Sequence, residues 1–211
     1  MTETIDVSRE LLRRAADGDQ AALADLLSPY RSRLKRMVRI RLNARLQGRV
    51  DDSDVVQDAL LEASQRLGDY LKGPGMPFFL WLRHITGQKL IDVHRHHLGR
   101  QKRDPGLEVS LHRGAWPLAS CTSLAEQLLG RFTSPSQAAI KAEMRQRVQD
   151  ALNSLEPLDR EVLAMRHFEQ LSNVETATAL GIGKSAASSR YLRALKKLKN
   201  ILASIPGLLE D

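Results

Sequence analysis

The chain has 211 residues, room for one large domain or two small ones, and its 42% hydrophobic and 27% charged residues exclude a collagen-like, mucin-like or wholly disordered chain. One cysteine excludes a disulfide framework and a multi-cysteine zinc site, and no apolar run reaches the roughly 18 residues that a membrane helix needs. The net charge of +7, from 32 Lys and Arg against 25 Asp and Glu, points to a polyanionic partner.

The opening MTETIDVSRE is acidic and polar where a signal peptide would be basic and then apolar, so the expected location is a reducing cytoplasm. Residues 8–98 read as helical throughout. Leu11, Leu12, Ala15 and Ala16 repeat at helical spacing, Gly18 breaks the run, and Asp19 can cap the next helix. Leu23, Leu26, Leu27, Tyr30, Leu34, Met37 and Val38 continue an apolar stripe, with Pro29 as a kink. Residues 31–49 hold eight basic side chains and no acid; residues 50–70 hold six acids against Arg66 alone. This reversal predicts two different partners rather than a uniformly sticky surface. The acidic run opens a helix whose Val55, Val56, Ala59, Leu60, Ala63 and Leu67 share one face. The stretch Lys72–Pro77 cannot be regular structure, and an apolar helix follows from Phe78 to about His97.

Glycines and prolines interrupt every period across 99–137, which reads as a linker with room for a short helix at Ser123–Leu129. Residues 138–205 are helical again. Ile140, Met144, Val148, Ala151 and Leu152 mark one amphipathic helix, and Pro157 starts another that carries Leu158, Val162, Met165 and Phe168. Ser172-Asn173-Val174-Glu175 is a capping box, in which hydroxyl and carboxylate each satisfy a free backbone N–H. The capped helix ends at Leu180. Gly181 then allows a left-handed turn, Ile182 can plug the core, and a longer basic helix begins at Lys184.

A short capped helix, a glycine turn and a longer basic helix describe a helix-turn-helix. Ala187, Tyr191, Ala194 and Leu198 face the core at helical spacing, leaving Lys184, Ser185, Ser188, Ser189 and Leu192 outward. Small polar residues near a helix N-terminus can hydrogen-bond base edges in the major groove. Arg190, Arg193, Lys196 and Lys197, further along, suit phosphates. An ordinary helical hairpin with a basic surface is the plainer alternative.

The stretch from Leu155 to Lys199 resembles region 4 of bacterial sigma factors. Asp54-Val55-Val56-Gln57-Asp58-Ala59 is similar to the acidic motif of region 2.2 in the extracytoplasmic-function (ECF) group, and Phe79, Trp81, Leu82, Ile85, Asp92 and Arg95 look like the pattern of regions 2.3 and 2.4. The resemblance implies an all-α protein of two small helical domains: region 2 over 8–98, a flexible linker over 99–137, and region 4 over 138–205. It further implies a factor that binds core RNA polymerase, through the β′ clamp and the β flap, and directs initiation at promoters by reading −10 and −35 elements. Family members are commonly masked by an anti-sigma protein.

Carried onto this chain, the resemblance puts polymerase binding on Asp54, Gln57, Asp58, Leu61 and Glu62. It puts −10 DNA on Lys72, Gly73, Pro74, Gly75 and Met76, where the family captures a flipped base, and on Gln88, Lys89, His94 and Arg95, with Arg100, Lys102 and Arg103 close to the melted strands. It puts −35 DNA on Lys184, Ser185, Ser188, Ser189, Arg190, Arg193 and Lys197. Trp81 fits the core better than a stacking platform. The chain departs from the family where Gly87-Gln88 replaces Arg-Asn and where Ala186-Ala187 replaces a Thr-Val pair.

No enzymatic constellation, cofactor motif or metal site is expected. His94, His96 and His97 do not share one helical face, and Cys121 has no suggested base. The competing function is a stand-alone helix-turn-helix regulator that acts without polymerase, which would have no use for the Asp54–Glu62 face.

Overall fold

The computed structural model describes residues 9–98, 118–129 and 138–203, in two compact units divided after Pro117. Among these residues the structure is helical, apart from turns and one isolated bridge between Gln47 and Val50.

The first unit contains α1 (Arg9–Ala16), α2 (Gln20–Leu27), α3 (Arg31–Arg41), α4 (Asp52–Lys72) and α5 (Phe78–Leu98). Gly18 takes φ +96° in the α1–α2 turn, and Asp19 accepts the Ala22 N–H as N-cap. Arg14 donates to the same carboxylate at 2.6 Å. The capping hydrogen bond and the guanidinium together hold the Asp19 carboxyl below its ordinary range. Pro29 sits in a single tightened 3-10 turn, Ser28–Tyr30, that joins α2 to α3 with no other residue between them, and the flanking Leu27, Ser28, Tyr30 and Arg31 stay in the right-handed helical region. Leu34, Met37, Val38 and Ile40 of α3 are fully buried against α4 and α5. All six residues of the α4 stripe are buried. Tyr30 stacks on Phe79, with centroids 5.6 Å apart, and meets Phe78 edge-on at 5.7 Å. Asp51 caps α4 through the Ser53 N–H.

The basic and acidic blocks partly meet each other. Asp52 pairs with Arg39 at 2.8 Å and with Lys35 at 3.5 Å, fastening α4 to α3.

The second unit contains α6 (Cys121–Leu129), α7 (Ala138–Asn153), α8 (Pro157–Leu163), α9 (Asn173–Leu180) and α10 (Lys184–Ala203). Helix α6 lies inside the stretch read as linker, yet Leu124, Ala125 and Leu129 are buried and it packs on α7. Its entry is anchored where the Ala119 N–H donates to the Glu161 carboxylate, and Arg160 donates to Cys121 Sγ at 3.1 Å. Burial raises the Cys121 thiol pKa, against the opposing pull of Arg160. Residues 99–117 and 130–137 of the expected linker lie outside the described residues, with Arg100, Lys102 and Arg103 among them.

After α8 the chain widens into a π-type turn over Ala164–Phe168 and turns at Gln170, φ 59°. Arg166 donates to the Leu171 carbonyl at 2.9 Å across this turn. The capping box of α9 forms in both directions, and Gly181 takes the left-handed φ of 64°. Ala187 and Ala194 are fully buried, and Leu198 nearly so, which seats α10 against α7, α8 and α9. Ile182 is only half-buried. The joint between α9 and α10 is also tied by the backbone, with the Ile182 N–H on the Ala177 carbonyl, and by Asn173, whose amide donates to the Lys184 carbonyl at 2.9 Å.

Candidate functional site

Two helices present outward faces that their own units do not consume. On α4 the burial of Val55, Val56, Ala59 and Leu60 turns Asp54, Gln57, Asp58 and Leu61 to solvent. Leu61 is 60% exposed, a large apolar side chain set among acids. Asp54 and Asp58 have no ion-pair partner among the described residues. Glu62 differs: it is half-buried and pairs with Lys89 of α5 and, at 2.7 Å, with Arg66. Four of the five residues expected at this surface are therefore open, and the fifth joins α4 to α5.

The loop after α4 leaves Lys72, Gly73, Pro74, Gly75 and Met76 exposed. Lys72 pairs with Asp69 at 2.7 Å, which raises the lysine pKa and lowers that of the carboxyl. Tyr70 hydroxyl donates to the Met76 carbonyl at 3.0 Å and closes the loop over its own ring. That ring lies 4.7 Å from Trp81 and 5.5 Å from Phe78. Trp81, expected in the core, is only half-buried and forms one wall of an aromatic group beneath the loop.

On α5, Gln88 and Arg95 are exposed. Lys89 is tied to Glu62, and the carboxylate raises its pKa. His94 requires correction as a DNA contact. It is 8% exposed, and its Nε2 accepts the Asn43 N–H at 3.3 Å. Burial pushes its pKa down to about 4, so the imidazole is neutral at pH 7 and cannot serve as a cation toward phosphate. His96 and His97 pack ring edge to ring face on the exposed end of α5. Among the described residues no group of His, Cys, Asp and Glu could hold a metal ion.

On α10 the buried row of Ala187, Ala194 and Leu198 fixes the opposite row by the 3.6-residue period. Ser185, Ser188, Ser189, Leu192, Lys196 and Lys199 form that row, and all are exposed, as is Lys184 at the helix start. Leu192 is 65% exposed in its middle. Lys196 and Lys199 have no ion-pair partner among the described residues. Lys199 continues the outward row one turn beyond the expected site, and the helical period alone would have found it. Arg190, Arg193 and Lys197 lie on the flank instead. Arg190 and Arg193 pair with Asp159 of α8, and Lys197 donates to the Ser154 carbonyl. They hold α10 to α8 and to the turn before it.

A bundle with an open acidic face, together with a capped helix-turn-helix whose second helix shows serines and lysines, defines a transcription factor class that touches both protein and DNA. Comparison with known proteins narrows the class. The sigma-70 region 4 family matches residues 145–198. The ECF RNA polymerase sigma factor SigD of Mycobacterium tuberculosis is 30% identical over 193 residues, covering 90% of this chain and 81% of that protein. The RNA polymerase sigma factor CnrH of Cupriavidus metallidurans is 30% identical over 199 residues, covering 93% and 95%. The solved structure of CnrH in complex with the cytosolic domain of CnrY matches with a TM-score of 0.54 at 25% identity, covering 93% of this chain and 97% of that one. The chain belongs to the ECF RNA polymerase sigma factors. It acts with core RNA polymerase to direct transcription initiation at promoter DNA, and the family is one of initiation factors rather than enzymes. No helix among the described residues is long and apolar enough to cross a membrane.

Proposed function

We propose that the two units divide the sigma factor's work. Residues 9–98 act as region 2: α4 holds the polymerase clamp through Asp54, Gln57, Asp58 and Leu61, while the loop Lys72–Met76 with Gln88 and Arg95 meets the −10 DNA. Residues 138–203 act as region 4: the outward row of α10, from Lys184 through Ser185, Ser188 and Ser189, reads the −35 DNA, and the same unit meets the β flap. The observation that carries this reading is the exposed Leu61 among unpaired Asp54 and Asp58. An acidic face repels phosphate, and an exposed leucine within it suits a basic, partly apolar protein surface. A stand-alone DNA-binding regulator has no use for such a face.

The chain performs no chemistry of its own in this reading and works in the cytoplasm, where polymerase and chromosome meet. CnrH forms a complex with the cytosolic domain of CnrY; for this chain, an anti-sigma protein would silence it by covering the α4 face. Reconstituted transcription with core polymerase over a broad promoter library tests the reading. The expected result is start sites that appear only when the protein is added; identical transcript maps with and without it would reject the reading.

A further inference from the structure

Three cations of the helix proposed to read the −35 element are occupied from within their own unit. Arg190 Nη1 lies 2.7 Å from Asp159 Oδ1 and 3.7 Å from Glu156 Oε2, and Arg193 Nη1 lies 3.5 Å from Asp159 Oδ2. Lys197 donates to the Ser154 carbonyl. Every acceptor belongs to the α7–α8 turn or to the first turn of α8. The Asp159 side chain is 6% exposed, so both of its oxygens face guanidinium groups rather than water. An arginine that leaves this carboxylate for a phosphate strands a buried charge, and that loss opposes the move. The Arg190 contact is the shorter and more shielded of the two, with Arg190 28% exposed against 59% for Arg193.

We propose that Asp159 is a specificity-determining residue for promoter reading, because it withholds Arg190 and, less tightly, Arg193 from the DNA backbone. The inference rests on α10 being the −35 reader. A phosphate contact adds affinity for every sequence alike, whereas base contacts distinguish sequences. Removing two arginines from the phosphate-binding pool leaves Ser185, Ser188 and Ser189 to set preference against a smaller non-specific background. Lys196 and Lys199 remain as the phosphate contacts. Asp159 acts through the arginines and touches no DNA itself.

The test uses the full chain, a labelled random-sequence duplex, and a duplex selected from a random pool by the assembled holoenzyme, with binding followed by anisotropy across a KCl series. The probe for the non-specific arm is the random duplex alone. Asp159→Asn is nearly isosteric and should steepen the dependence of log K on log[KCl] by roughly 0.9 for each arginine released. Affinity for the random duplex should rise up to about 8-fold per arginine at about 0.1 M salt, and the ratio of selected to random binding should fall. Asp159→Asn combined with Arg190→Gln should return the slope by roughly 0.9 toward the parent value. If Asp159→Asn fails to fold, Arg190→Gln in the parent decides. It should leave the slope nearly unchanged, while Lys196→Gln flattens it by roughly 0.9. Equal flattening by Arg190→Gln and Lys196→Gln would overturn the proposal, because Arg190 would then already be on phosphate. No effect of Lys196→Gln on the slope, together with no effect of Ser188→Ala on sequence preference, would remove α10 from the DNA, a separate failure of the underlying reading.

Discussion

Helices α4 and α10 have nearly equal lengths, 21 and 20 residues, and both carry dense charge of opposite sign. They handle that charge by the same rule. On α4 the flanking Asp52 and Glu62 pair with α3 and α5, and the central Asp54 and Asp58 stay open. On α10 the flanking Arg190, Arg193 and Lys197 are taken up by α8 and the turn before it, and the outward Lys196 and Lys199 stay open. Flank charges fasten a helix to its neighbours; the outward row is what a partner meets. The charge of a sequence block is therefore a poor measure of the charge a partner sees. Each face carries one bare leucine, Leu61 or Leu192; the difference lies in the sign of the open charge and in its other company, a glutamine among carboxylates on α4 and small hydroxyls among lysines on α10. The first composition suits a protein surface, the second a DNA groove.

The largest effect that separates seat from face is expected in the core beneath α10. Leu152 of α7 is fully buried, and Leu152→Ala should cost about 2–5 kcal/mol in a urea melt of the second unit. A matching pH effect belongs to the first unit. The pKa of His94 is lowered by burial from 6.5 to about 4, so the unfolded chain binds the proton first. The contribution of neutral His94 is fully present above pH 6.5, and it is lost as the pH falls from there toward 4. The loss should be on the order of 3 kcal/mol, and His94→Gln should remove most of that dependence in melts taken across the range. Next in size is the capping box, where Ser172→Ala should cost about 1 kcal/mol by destabilising the start of α9. The smallest stability effects are expected on the faces themselves. Leu61→Ala and Leu192→Ala should each stay within about 0.5 kcal/mol of the parent, while Leu61→Ala weakens co-purification with core polymerase and Leu192→Ala does not.

What the sequence disclosed follows from the range over which side chains signal. The α4 stripe, the α9 capping box and the Gly181 turn were readable because each is set by residues within a few positions of one another. The partners of Arg190 and Lys197 were not, because Asp159 lies 31 residues from Arg190 and Ser154 lies 43 from Lys197. Pairing across elements leaves no local period. The same reason hid His94, which is buried and accepts a hydrogen bond from the Asn43 N–H, 51 residues away. Helix α6 was legible as a short helix at Ser123–Leu129, but the glycines and prolines on either side assigned it to the linker; its packing on α7 and the Ala119–Glu161 and Arg160–Cys121 contacts, across 42 and 39 residues, place it in the second unit. The division of candidate residues into open and occupied was thus a product of packing, while their residue types and helical positions were visible beforehand.

The central claim is that α4 holds the polymerase and α10 the DNA. Its most direct test is the affinity of Asp54→Lys/Asp58→Lys for core polymerase, measured beside its melting curve and a salt titration with promoter DNA. The pair is exposed and unpaired among the described residues, so the fold should hold, with stability changing by no more than about 1 kcal/mol for the two substitutions together. DNA binding should stay equal or rise, since positive charge is added, and holoenzyme should fail to assemble. A double variant that assembles holoenzyme with the parent's affinity would contradict the account and move the polymerase surface off α4.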